Sequence, residues 1–147
     1  MPRIEIKTFS ELTNDELYKL LRLRQEVFIV EQDCAYLDTD DKDQGSWHLL
    51  MWEGDDLIGC ARILPEGLGY TDHMAIGRVI VDVSHRRKGL GKVIMIAAIN
   101  KCREVSSLPI KLSAQVYALD LYSSVGFEAT GDTYLEDGIP HHAMVLE

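Results

Sequence analysis

Residues 78–92, Arg-Val-Ile-Val-Asp-Val-Ser-His-Arg-Arg-Lys-Gly-Leu-Gly-Lys, constrain the fold more than any other stretch. They read as an apolar strand, Val79 to Val83, running into a basic, glycine-containing turn that opens a helix from Leu90 to about Val105. Such a turn binds phosphate. The N–H groups from Arg86 to Gly91 have no intrahelical partners and converge on one spot, where the helix dipole adds partial positive charge. Gly89 and Gly91 carry no Cβ, so a bulky diphosphate can approach the main chain. Two other phosphate-binding readings fail on single residues. A P-loop requires Ser or Thr after Gly91-Lys92, where Val93 stands, and a dinucleotide fingerprint requires a third Gly or Ala, where Ile94 stands.

The chain of 147 residues has the length of one domain, read here as 1–147, with no repeat, linker or low-complexity tract. Its net charge of −9 disfavours nucleic acid and anionic membrane as partners. Against that charge, His85-Arg86-Arg87-Lys88 is an isolated basic island. Acids are preferred at helix N-termini, so cations there imply an anionic ligand. The start, Met-Pro-Arg-Ile-Glu-Ile-Lys, lacks an apolar run, and no stretch approaches a membrane span of roughly 18 apolar residues. Three cysteines, Cys34, Cys60 and Cys102, without a Cys-x-x-Cys pair suit a reducing cytoplasm, with Cys60 and Cys102 read as buried small hydrophobes. No metal is expected. The histidines and cysteines lack zinc spacing, and a calcium loop from Asp38 fails at Lys42 and Asp43.

Along the chain, Arg3 to Thr8 reads as a strand. Thr13 and Glu16 form a capping box for a helix through about Glu26, with Leu17, Leu20, Leu21 and Leu23 as its buried stripe. Residues 32–45 are an acidic loop. Strands Trp47 to Trp52 and Leu57 to Leu64 flank a hairpin turn, Glu53-Gly54-Asp55-Asp56, and Gly67 to Met74 is a loop. The helix after Gly89 should bury Leu90, Val93, Ile94, Ala97 and Ala98 against a sheet. A strand Ile110 to Ala114, a short helix Tyr117 to Val125 ended by Gly126, and closing strands Phe127 to Thr133 and Ala143 to Leu146 complete an α+β order with a mixed sheet.

The turn and its setting resemble the acetyl-CoA-binding motif of the GNAT N-acetyltransferase superfamily, Arg/Gln-x-x-Gly-x-Gly/Ala after a Val-rich strand. Residues 115–127, Gln-Val-Tyr-Ala-Leu-Asp-Leu-Tyr-Ser-Ser-Val-Gly-Phe, resemble the superfamily's later Asn-x-x-Ala-x-x-Leu-Tyr-x-x-x-Gly-Phe helix, with Gln115 in place of Asn. Leu23-Arg24 with Val27 to Cys34, then His48, Ile76-Gly77-Arg78, Ala114-Gln115 and Glu136 to His141 are similar to the ElaA-like branch. Ala35 stands where that branch often has Pro, a local loop difference. The resemblance implies a mostly antiparallel central sheet flanked by helices and splayed between the motif strand and the next, so that main-chain groups are free for the pantetheine arm. It implies a cytoplasmic enzyme moving acetyl from acetyl-CoA, with no metal, directly to a small-molecule or peptide amine in a ternary complex. The alternative is a non-catalytic acyl-CoA sensor. A homodimer is compatible with either.

On that resemblance, Val79, Ile80 and Val81 face pantetheine, and the turn Arg86, Arg87, Lys88, Gly89, Leu90, Gly91 and Lys92 holds the phosphates. Gln115 joins this cofactor-binding set. Tyr122, the Leu-Tyr tyrosine, is the thiolate stabiliser or general acid. Glu31, His48 and His141 are candidates for the base or the acceptor site, and a water chain can replace any of them. The carboxylates Glu31, Asp33, Asp38, Asp40, Asp41 and Asp43 read as a solvated face; lining the acceptor cleft instead, they would favour a cationic amine.

Overall fold

The computed structural model describes residues 2–147. One seven-stranded sheet has the order β1-β2-β3-β4-β5-β7-β6, with strands β1 Arg3–Thr8, β2 Trp47–Glu53, β3 Asp56–Leu64, β4 Met74–Val81, β5 Ile110–Gln115, β6 Glu128–Glu136 and β7 Ile139–Leu146. All neighbours are antiparallel except β4 and β5, which pair in parallel only at Met74 with Ile110 and Ala75 with Lys111. Beyond that point the two strands part, leaving the expected splay.

Strands β2 and β3 are near-continuous apolar runs because both faces of the sheet are covered. Leu49 and Met51 point to helix α2, Leu90–Val105, and join Ile63, Ile94, Met95 and Ala98 in the larger core. Leu50, Trp52, Cys60 and Ile80 point the other way, to Leu20, Leu23 and Val27. Those three come from α1, Asn14–Arg24, and the segment that follows it. Of the stripe expected on α1, Leu20 and Leu23 are buried while Leu17 and Leu21 are only half-buried. On α2, Val93 is exposed together with Ile96, because the sheet covers one face of the helix and these two lie outside it. Cys60 and Cys102 are buried, as their apolar context predicts, and burial pushes both thiols up to about 12.

Local signals in the sequence set several boundaries. Thr13 Oγ1 accepts from Glu16 N at 3.1 Å, and Thr13 N donates to Glu16 Oε1 at 2.9 Å. The β2–β3 hairpin closes on Glu53 opposite Asp56 with Gly54 at φ +59°. Elsewhere the boundaries move. The motif strand ends at Val81, and Val83–His85 is a 3-10 turn, in which the Asp82 carbonyl accepts from His85 N at 2.9 Å. Helix α1 ends at Arg24, and Gln25–Glu31 continues in a wider π register, with Gln32 N on Val27 O and Cys34 N on Ile29 O. The helix expected over 117–125 is a 3-10 turn, Val116–Ala118, followed by α3, Leu119–Ser123. The closing strands are longer than expected because Asp137 and Gly138, both at positive φ, make a two-residue hairpin turn at Glu136 and Ile139.

The largest correction concerns Asp38, Asp40 and Asp43. Read as part of a solvated acidic face, they instead close a ring of alternating charge under the sheet, while Asp33 and Asp41 are exposed as that reading has it. Asp38 meets Arg24 Nε at 2.7 Å and Arg78 Nε at 2.8 Å; Asp40 meets Arg62 at 2.8 Å and Arg78 at 3.5 Å; Asp43 meets Arg24 and Arg62 at 2.9 Å each. Arg24 is 1% exposed, and Arg62, Asp38 and Asp43 are buried. Burial alone would raise the Asp43 and Asp40 pKa values, but hydrogen bonds from Arg24 and Arg62 to Asp43, and from Arg62 to Asp40, hold both below the ordinary 3.8.

Depressed carboxylate values mean that this stabilisation is complete above about pH 4 and is lost as the pH falls through the folded-state values. Arg24→Leu leaves the buried Asp38 and Asp43 with one arginine each, Arg78 and Arg62, and an unbalanced negative charge in the interior, and is expected to cost about 3–5 kcal/mol at pH 7. Urea titrations of both proteins from pH 7 to pH 2 check this. The gap should narrow below pH 3.8, where protonated carboxyls no longer need the guanidinium.

Candidate active site

The ring fixes the strand that opens the site. Between Cys60 opposite Ile80 and Arg62 opposite Gly77, β4 carries one residue more than β3, a β-bulge at Arg78 and Val79. Arg78 sits at φ +50°, a backbone region costly for a side chain. Its guanidinium is held by Asp38 Oδ1 at 2.8 Å and Asp38 O at 2.8 Å, and lies 5.9 Å from the Phe28 ring centroid. Bulges increase local twist, and this one lies in the stretch of β4 beyond Ala75, where no pairing with β5 remains.

The resulting cleft encloses about 800 Å³. Of the residues assigned from sequence, Val79, Ile80, Val81, Arg86, Gly91, Gln115, Glu31, Tyr122 and His141 line it. Arg87, Lys88, Gly89, Leu90 and Lys92 form the turn and first helical residues beside it. His48 is not among the lining residues. It is 1% exposed on β2, with Nε2 2.8 Å from Asp43 O, and burial lowers its pKa. Because a carbonyl only accepts, Nε2 carries the proton, and His48 serves as a neutral strut for the loop that bears the aspartates.

The turn presents backbone as expected, with Arg87 at φ +65° and Gly89 at φ +75°. Alternating conformations of this kind aim successive N–H groups into one concavity. Gly89 has open space around its missing Cβ, whereas a Cβ on Gly91 would lie 3.3 Å from Leu121 Cδ2. The bare main chain at Gly91 therefore also serves the packing of α2 on α3. The basic island is half neutralised. His85 lies 3.1 Å from Asp82 and 3.2 Å from Glu53, which raise its pKa, and Arg86 donates to both carboxylate oxygens of Glu31 at 2.6 and 2.8 Å. That pairing holds the Glu31 carboxyl below its usual range. Arg87 and Lys88 are exposed.

Tyr122 packs edge-on to Phe127 at 6.4 Å, and burial pushes its phenol up to about 12. His141 is buried on β7 opposite Gln115, stacked on Tyr134 at 6.1 Å, with Nδ1 2.7 Å from Ile139 O and Nε2 3.6 Å from Glu136 Oε2. Its Nδ1 must donate to that carbonyl, so in the neutral ring Nε2 is the basic nitrogen. Gln32, Tyr36 and Tyr70 line the cleft without having been assigned to the site from the sequence. Gln32 exchanges hydrogen bonds with Gln115, and Tyr36 and Tyr70 have phenols that burial pushes up to about 12. Only Gln32 had a pointer, its place in the block next to Glu31. Among the described residues no His, Cys, Asp and Glu cluster has the make-up of a metal site, and no helix is long and apolar enough to cross a membrane.

Residues 8–147 match the Acetyltransferase (GNAT) domain family. Protein ElaA of Escherichia coli is 39% identical over 141 residues, covering 94% of this chain and 92% of that protein. The crystal structure of E. coli ElaA aligns over the whole of both chains with a TM-score of 0.94. An acyl-CoA N-acyltransferase from Pseudomonas aeruginosa aligns over the whole of both chains at TM-score 0.93 and 35% identity. A Bacillus subtilis acetyltransferase solved in complex with CoA aligns at TM-score 0.67 and 25% identity, over 100% of this chain and 99% of that one. The chain belongs to the GNAT acetyltransferase family, in its ElaA-like branch, and is an N-acetyltransferase of that type.

The contact at Gly91 has a measurable consequence. Gly91→Ala needs Leu121 to give by only a few tenths of an ångström and should leave thermal stability close to wild type. Gly91→Val overpacks the α2–α3 contact and should cost about 1–3 kcal/mol, read by calorimetric unfolding of the two variants.

Proposed function

We propose that the chain moves the acetyl group of acetyl-CoA directly to a primary amine, with donor and acceptor held together in the cleft. The observation that carries this reading is the end of β4–β5 pairing at Ala75 and Lys111. From there two unpaired strand edges lead to the N–H groups of the Arg86–Gly91 turn. Free main-chain groups match the amides of a pantetheine arm, and the turn matches a diphosphate. The CoA complex of the B. subtilis relative supports the same assignment.

Amine acetylation requires a neutral nucleophile and stabilisation of the departing thiolate. For the first, we assign proton removal to His141 Nε2, with Glu136 facing the imidazolium that results. Glu31 is the weaker candidate because Arg86 engages both its oxygens. For the second, we assign Tyr122. With its phenol at about 12, full transfer of the proton to a thiolate of pKa about 8.5 is uphill by about 5 kcal/mol. Tyr122 therefore works as a hydrogen-bond donor. The acceptor is not steered by the acidic loop, since Glu31, Asp38, Asp40 and Asp43 are each paired with arginine. Glu136 and Asp137 remain as carboxylates on the cleft.

Release of free thiol from acetyl-CoA across a panel of polyamines, aminoacyl compounds and peptides with free α-amines tests the activity. No turnover above the solvent rate with any amine would remove it. With an acceptor in hand, Tyr122→Phe should lower kcat about 10²-fold with little change in CoA affinity; an unchanged kcat would assign Tyr122 to packing. His141→Gln should lower kcat/KM about 10²-fold. An unchanged kcat/KM would move the base elsewhere.

A further inference from the structure

The segment after α1 reaches both edges of the opening. Glu31, the last residue of the π-helical stretch, clamps Arg86 through two hydrogen bonds, and Arg86 Nε in turn donates to Val81 O at 2.9 Å. The next residue, Gln32, exchanges two amide hydrogen bonds with Gln115, Nε2 to Oε1 at 3.0 Å in one direction and 3.2 Å in the other, and its Nε2 lies 3.4 Å from the Tyr117 hydroxyl. Val81 ends β4 and Gln115 ends β5, the two strands that part beyond Ala75 and Lys111. Two consecutive residues thus tie together the far ends of two strands that share no hydrogen bond there. All of these side chains lie on the cleft.

We infer that Glu31 and Gln32 form a clasp across the splay that controls passage of CoA into and out of the groove. The inference rests on the acyl-CoA reading of that groove. Each tie joins partly exposed side chains, Glu31 being 42% and Arg86 35% exposed, so water can replace them at modest cost. The main chain behind them is in the wider π register. Such stretches are rare and frequently occur at functional sites, and a return to α spacing would change the reach of both side chains at once. Glu31 is a positioning residue in this scheme. It holds Arg86 on the Val81 carbonyl and cancels its charge, leaving the backbone of the turn and Arg87 and Lys88 for the diphosphate.

A clasp has a kinetic signature that a binding contact lacks. Loosening it speeds entry and exit together, whereas loss of a direct contact speeds exit alone. Binding of a fluorescent ethenoadenine analogue of CoA, followed by stopped flow, gives both rates. In Gln32→Ala, association and dissociation should each rise about tenfold, with the dissociation constant nearly unchanged. Gln32→Asn keeps the amide but shortens its reach and should behave alike, whereas Gln32→Glu still accepts from Gln115 Nε2 and should restore part of the wild-type rates. Thermal unfolding of each variant confirms that the fold is intact. Unchanged rates in folded variants, or a rise in dissociation alone, would overturn the clasp while leaving the CoA reading in place. Absence of analogue binding by the wild-type protein would overturn both.

Discussion

Three arginines and three aspartates, alternating in a closed ring, hold the geometry on which the cleft depends. Arg24 comes from the end of α1, Arg62 from β3, Arg78 from the bulge in β4, and the aspartates from the loop between α1 and β2. The ring is a poor source of net stability, because removing six charges from water costs about as much as their attraction returns. Its contribution is placement. It fastens an irregular loop under the sheet and holds Arg78 in a backbone conformation it would otherwise leave. That bulge lies in the stretch where β4 and β5 no longer pair. Without the parting there would be a continuous sheet and no main-chain groups to offer a ligand.

The site therefore combines two kinds of preorganisation. The phosphate end is built from backbone, in the turn at the start of α2, and depends little on side-chain charge, since Glu31 already faces Arg86. In the proposed reading, the reactive end is built from side chains on elements far apart in the chain, Tyr122 on α3 and His141 on β7. Each is fixed by packing against an aromatic neighbour, Phe127 and Tyr134. In that reading, burial, which makes Tyr122 a poor acid, makes it a dependable donor, because a phenol with a pKa of about 12 keeps its proton at neutral pH.

Much of this was legible in the sequence where the governing interaction is local. The Thr13–Glu16 box, the Glu53–Asp56 hairpin and the turn from Arg86 to Gly91 all depend on residues within a few positions of one another. The resemblance of the 78–92 and 115–127 blocks supplied the sheet and its splay. What escaped was long-range or cooperative. Asp38, Asp40 and Asp43 look like a solvated acidic face because their arginine partners lie 14 to 40 residues away in sequence. The π register after Arg24 is invisible to periodicity, since Val27 and Phe28 extend the apolar pattern of an α-helix equally well. His48 drew notice as an imidazole in an apolar strand, yet its role is set by a carbonyl in the loop before it. Gln32 and Gln115 acquire meaning only once the strands have parted.

The alternation of charge around the ring also shapes how this family of sequences can drift. Replacing any one of its six members leaves an odd charge in the interior, whereas replacing two neighbours with apolar residues of similar volume leaves the remainder neutral. Change at these positions is therefore quantised in pairs. Loss of Arg24 alone leaves one aspartate too many, and a matching loss of one aspartate would return most of the cost. Residues 24, 38, 40, 43, 62 and 78 behave energetically less as six sites than as a single unit.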